Sequence, residues 1–183
     1  MVKLQAQRKT DMPTKITILF LILSSILLAK ENISIDELLK ANYSEEINIE
    51  KKSLILTKEQ AKNIQEAARA KVGSKIVRYY EVKKEDTIVG HAILLKQKIR
   101  TKNAAILYMV DENKTMIGLE IVSFKEPSEY KPNDDWTKIF VGKTSEDILV
   151  AGKDIATISG ATLSARAISD AARVALAIAQ EKF

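Results

Sequence analysis

Residues 76–124 read IVRYYEVKKEDTIVGHAILLKQKIRTKNAAILYMVDENKTMIGLEIVSF. Four segments within this stretch have the β-branched and aromatic content of strands: Ile76–Val82, Thr87–Leu95, Ala104–Asp111 and Thr115–Phe124. Asp111–Glu112–Asn113–Lys114 is a turn sequence, so the last two strands form an antiparallel hairpin. Consecutive strands with short polar breaks, bracketed by helical stretches, predict an α+β fold in which helices pack against an antiparallel sheet.

On the N-terminal side, Thr57–Lys58–Glu59–Gln60 is a capping-box pattern. The helix it opens is expected to run to about Lys71, with Gly73 as its stop. Residues 31–56 are polar with scattered Ile and Leu, and hold a short helix candidate, Ile35 to Ala41. They read as a connecting segment that docks on a domain spanning 57–183. Residues 1–30 differ in kind. Lys3, Arg8, Lys9 and Lys15 against Asp11 make the start basic, and the run ITILFLILSSILLA at 16–29 carries no charge. Fourteen helical residues span roughly 21 Å against a hydrocarbon core of about 30 Å. The segment therefore reads as an export signal or a short anchor, with the basic flank on the cytoplasmic side. Leu27 stands where a cleavage site prefers a small residue, which favours a retained N-terminal hydrophobic helix in the cell membrane; an exported, cleaved form is the other outcome.

On the C-terminal side, KEPSEYKPNDD at 125–135 is a polar loop. Trp136, Ile139, Phe140 and Gly142 then return the chain to the core. Lys153–Ile158 reads as extended, and Ala161 to Lys182 as a helix with eight alanines, with Leu163, Ala167, Val174 and Ile178 on one side. So many small residues allow a helix to lie close to a sheet.

Composition limits the chemistry. The 183 residues contain no cysteine and one histidine, His91. Disulfides, iron–sulfur clusters, cysteine-based zinc sites, attached c-type haem and a catalytic cysteine are excluded. Electron transfer by this chain requires an organic cofactor. The formal charge of +5 is concentrated in the first fifteen residues, which is not the pattern of a nucleic-acid-binding surface.

The informative motif is Ser159–Gly160–Ala161–Thr162–Leu163–Ser164, at the start of the last helix. Ser159 is a suitable N-cap residue, which puts Thr162 in the first turn. The N–H groups there lack helical partners and the macrodipole is positive, so a phosphate is stabilised. Gly160 and Ala161 allow a bulky group to approach the backbone. Ser164 adds a hydroxyl and Arg166 a cation. A plain capped helix start has the same spacing. Neither the P-loop nor the dinucleotide fingerprint is present.

This hexapeptide, followed by an alanine-rich helix, resembles the signature of the FMN-binding domain family. That family includes the covalent-flavin subunits of the Rnf complex and of the sodium-pumping NADH:quinone reductase, and small stand-alone exported members. Thr87–Ile88–Val89–Gly90–His91–Ala92 and Met116–Ile117–Gly118–Leu119–Glu120–Ile121 resemble two of its strands, and Phe124–Lys125–Glu126–Pro127 resembles its glutamate-bearing loop. Tyr130, Trp136, Phe140, Gly142 and Lys143 resemble the stand-alone members. The resemblance implies FMN esterified through its phosphate to Thr162, attached by a separate flavin transferase outside the cytoplasm. It also implies redox partner proteins in or outside the membrane, and no small substrate turned over by this chain alone. Ala156 stands where the family commonly has Asp, and Asp154 faces the same side if 153–158 is a strand.

Tyr130 and Trp136 are candidates for the wall beside the flavin ring, and Glu126 and Lys143 for polar neighbours. Each also has an ordinary structural reading. His91, within a strand, reads as structural, and no catalytic residue or metal site is assigned. The alternative function is a non-redox membrane-anchored binding or assembly module that keeps the fold without flavin.

Overall fold

The computed structural model describes residues 34–183. The hydrophobic run at 16–29 lies outside them; among the described residues no helix is long and apolar enough to cross a membrane. The order of elements is α1 (Ile35–Asn42), β1 (Asn48–Ile55), α2 (Lys58–Ala68), β2 (Ile76–Lys84), β3 (Thr87–Lys98), β4 (Asn103–Asp111), β5 (Met116–Phe124), α3 (Asp134–Thr137) and α4 (Thr162–Lys182). The five strands form one antiparallel sheet in the order β1-β2-β3-β4-β5. The α+β class is as the strand pattern predicts. The β4–β5 turn is built by Asp111, whose Oδ1 accepts from the N–H groups of Asn113 and Thr115 at 2.9 and 2.8 Å.

Three local readings differ from the structure. Residues 48–55, within the stretch read as a connection, form edge strand β1, paired along its length with β2. The alternation there is masked by lysines on both faces, so the segment carries no clear period-two signal. Helix α2 ends at Ala68, and the left-handed residue after it is Arg69, not Gly73. The carbonyls of Gln65 and Glu66 are satisfied by the Arg69 N–H, which fixes the stop three residues earlier. Lys153–Ile158 is not a strand. It is a turn held by Asp154, whose carboxylate accepts from Leu149 N and Val150 N at 2.7 and 2.8 Å, with a single bridge between Ala151 and Ile155.

The sheet is covered on both faces. On one face α2 and α4 pack through Ala61, Ile64, Ile168, Ala172, Ala175 and Ile178 onto Val77, Ile93, Ile106 and Tyr108. Alanines along α4 keep the helix near enough for the Tyr108 hydroxyl to donate to the Ile168 carbonyl at 3.0 Å. On the other face α1 packs Leu39 onto Tyr80, Val82, Ala92, Leu107 and Met109. Tyr43, just past α1, fits over Gly90 and directs its hydroxyl at the carbonyls of Val110 and His91, 2.7 and 2.9 Å away.

Candidate functional site

Helix α4 begins at Thr162, and its N-cap position is Ala161, not Ser159. Ser159 lies two residues further out, exposed, in a turn that Gly160 closes with a positive φ of 75°. A serine there is too far from the first turn to cap it. The result is a helix of 21 residues whose first turn has no side-chain cap. The N–H groups of Thr162, Leu163 and Ser164 precede the first intrahelical bond, which runs from Ala165 N to Ala161 O. The space beside Gly160 is open: a Cβ added there meets nothing within 4 Å. These features together form an uncapped, positively polarised helix start facing open space.

Around this start, Thr162 is half-buried, Leu163 exposed and Ser164 fully buried. The Ser164 hydroxyl has no hydrogen-bond partner, and neither has that of Ser169. Arg166 is exposed one turn after Thr162, hence on the same side of the helix, and makes no ion pair among the described residues. Leu163 precedes Ala167 by four residues and shares its face. Beside Ala167 a cavity of about 690 Å³ opens where β2 and β3 part beyond Arg78 and Leu94, lined by Ser53, Ile76, Arg78, Lys96, Gln97 and, on α4, Ala167 and Asp170. That volume lies within the range of small-ligand sites.

The remaining sequence candidates do not converge on one point. Glu126 is buried and structural in its contacts. Its Oε1 accepts from the N–H groups of Lys102, Thr101 and Arg100 at 2.7, 2.6 and 3.1 Å, closing the β3–β4 turn. Those bonds, that from Lys102 foremost, hold its carboxyl below the usual range. Tyr130 lies under Arg100, whose guanidinium carbon is 4.4 Å from the ring centre. Trp136 is core: it meets Phe140 edge-on at 5.2 Å, and its indole N–H donates to the Ala156 carbonyl at 2.7 Å. Lys143 pairs with Asp147 at 3.0 Å, while its carbonyl accepts from Met116 N at the start of β5. Glu126 follows the opposite end of that strand, roughly 27 Å away at about 3.4 Å per residue. Glu126 and Lys143 therefore serve different ends of the sheet. Asp154 faces its own turn and takes no place beside Ala156.

His91 is stacked on Phe183, with ring centres 3.9 Å apart, and burial lowers its basicity. Phe183 lies 21 residues beyond Thr162, roughly 31 Å along the helix. The imidazole is thus remote from the α4 start, and among the described residues the Thr162 hydroxyl bonds to no carboxylate or imidazole. Arg173 was not singled out in the sequence. It donates to the carbonyls of Ala68 and Leu149 and pairs with Asp170, tying α2 and the 149–155 turn to α4. A lone arginine on the buried side of an alanine-rich helix was the available signal.

A family model for the FMN-binding domain matches residues 72–177. The chain belongs to the FMN-binding domain family. The matched span runs from just before β2 into α4 and holds every candidate residue above; α1, β1 and α2 precede it. No curated protein sequence matches the chain. FMN carries a phosphate at one end and a flat ring at the other. The uncapped first turn of α4, the unpartnered Ser164 hydroxyl, Arg166 and the cavity beside Ala167 suit such a molecule.

Proposed function

We propose that this protein carries FMN covalently through a phosphoester to Thr162 and serves as a membrane-anchored, extracytoplasmic electron carrier. The observation carrying the reading is the placement of Thr162 as the first residue of α4, half-exposed, in a turn whose N–H groups are uncapped. FMN, when bound, supplies one- and two-electron redox chemistry. The chain's residues hold and orient it. The N–H groups of Thr162, Leu163 and Ser164 would hold the phosphate, and the unpartnered Ser164 hydroxyl could donate to it. Arg166 would offset its charge, and Ala167 lines the cavity that could take the ring.

Forming the ester joins Thr162 Oγ1 to phosphorus, and the hydroxyl proton must leave. A threonine hydroxyl is a weak nucleophile without a base, and among the described residues none is bonded to it. A separate flavin transferase therefore supplies the base, and its donor is a flavin whose phosphate is already joined to a second phosphate: as the Thr162 Oγ1–P bond forms, that pyrophosphate P–O bond breaks and the second phosphate leaves with its substituent. A covalent link also prevents loss of FMN where no cytoplasmic pool replenishes it. Electrons come from a membrane redox partner and pass to another carrier, with no small substrate turned over by this chain alone.

The test is the intact mass of the full chain after denaturation, expressed with and without a flavin transferase. An FMN-sized addition that maps to the Thr162 peptide and is lost in Thr162→Ala is the expected result. Flavin that separates on unfolding, leaving unmodified mass, overturns the covalent link. Protein that never acquires flavin returns the reading to a non-redox module.

A further inference from the structure

The cavity beside Ala167 runs through the sheet. Val77 and Leu95, which pack toward α2 and α4, line it together with Asp170 of α4. Arg78, Lys96 and Lys98 line it too, and strand alternation puts them on the opposite face, with Tyr80 and Leu94. Side chains of both faces reach one space because β2 and β3 are unpaired beyond Arg78 and Leu94. The cavity therefore has a second mouth, on the face opposite α4. Lys71, in the loop after α2, adds a fourth cation to the lining. All four are exposed and, among the described residues, form no ion pair. The one carboxylate in the lining, Asp170, is already held by Arg173 at 2.7 Å. Ile76 stands at this mouth and pairs with Ile55 of β1; the two are 67% and 74% exposed. The mouth is thus cationic, with an apolar rim.

We propose that this second mouth is the docking site of a redox partner protein, which presents an acidic surface around its own electron-carrying centre. The proposal rests on the reading that FMN is held with its ring in this cavity. Electrons then enter or leave through an opening that α4 does not cover, and the mouth on the opposite face is such an opening. Four cations without counterions attract an acidic surface and repel a basic one, and steering of this kind raises encounter rates by about 10- to 1,000-fold. Ile55 and Ile76 select a protein over a small anion, because an apolar rim is buried only by a surface of comparable size. Such a contact is weak and electrostatically steered, which suits a carrier that releases its partner after each transfer.

The full chain carrying attached FMN is reduced, and its reoxidation by anionic ferricyanide or cationic hexaammineruthenium(III) is followed by stopped-flow absorbance. Each ion takes one electron, so two oxidise one reduced flavin, and the flavin protons pass to the buffer. Added salt should slow the reaction with ferricyanide and speed that with ruthenium. Lys96→Glu/Lys98→Glu should lower the ferricyanide-to-ruthenium rate ratio by about tenfold or more, and Arg78→Gln should lower it by less. Lys84→Glu/Lys138→Glu, the same charge change at the other end of β2 and past α3, should leave the ratio near that of wild type. Polyglutamate, standing in for an acidic protein surface, should slow wild type with ferricyanide and not the Lys96→Glu/Lys98→Glu chain. Equal effects of the two double variants, or the reverse salt dependence, overturn the docking and leave the bound flavin standing. Inorganic phosphate that protects as well as polyglutamate assigns the mouth to small anions and overturns a protein partner. A chain whose intact mass and colour show no flavin overturns the cofactor reading and the docking with it.

Discussion

Gly90→Ala should destabilise the domain more than any other single methyl added to this sheet. A Cβ built on Gly90 lies 2.3 Å from the Val110 carbonyl oxygen and 2.5 Å from Tyr43 Cε1. Neither neighbour yields easily. The Val110 oxygen is backbone of β4, and the Tyr43 ring is held by its hydroxyl, which burial pushes well above the usual tyrosine range. Overpacking of this kind costs about 1–3 kcal/mol. Displacing Tyr43 also forfeits a buried hydrogen bond of about 1 kcal/mol and part of an aromatic burial. Together about 3–5 kcal/mol is expected, a fall in Tm of roughly 10 °C for a domain of this size. Thermal unfolding followed by circular dichroism measures it. Tyr43→Phe is the comparison; it removes only the hydroxyl and should cost about 1 kcal/mol. The double variant Gly90→Ala/Tyr43→Ala should fall short of additivity, because removing the ring relieves one of the two clashes. A Gly90→Ala protein melting within about 2 °C of wild type, or strict additivity in the double variant, refutes the account of α1 as a strap seated on Gly90.

Three further outcomes follow from the contacts. The Glu126 carboxyl is depressed by its backbone donors, so its stabilisation is present above the ordinary carboxylate range and lost as pH falls through the lowered value. Wild type should therefore exceed Glu126→Gln in stability at neutral pH and converge with it in acid; a gap independent of pH contradicts this. Arg173→Met should cost about 2–4 kcal/mol in urea unfolding, since two carbonyls lose charged donors, and a change below about 0.5 kcal/mol rules out that clamp. Ser164→Ala should leave the flavin-free chain as stable or slightly more so, because the hydroxyl is buried without a partner. The same variant should lower the yield of attached flavin, read by intact mass; a clear loss of stability without flavin means the hydroxyl is already satisfied.

Four of the five strands, the β4–β5 turn and the long last helix could be read directly from residues 76–182, because a half-buried strand and an alanine-rich helix write their periods into the chain. Strand β1 could not: Lys51 and Lys52 point to opposite faces, one without an ion pair among the described residues and one bound to Glu50 and Glu81, so polarity does not alternate with burial. Thr162 was singled out from sequence alone as the candidate acceptor, yet the setting of its neighbours was not legible there. Ser159 has the composition of a cap, but the left-handed Gly160 turns it away from the helix. Glu126 and Lys143 looked like members of one site because nothing in a linear sequence shows that β5 separates them.

The sequence by itself determined the α+β class and the FMN-binding domain motif and singled out Thr162 as the proposed acceptor, and its lack of cysteine left an organic cofactor as the carrier of any redox chemistry. These properties are local: residue type, spacing and the chemistry a side chain can perform. Only the tertiary structure decided that Trp136 is core, that Glu126 closes a turn and that Tyr43 seats over Gly90. Those depend on which backbone donors and which faces the pairing of distant strands brings together, a long-range outcome that no short window of sequence encodes.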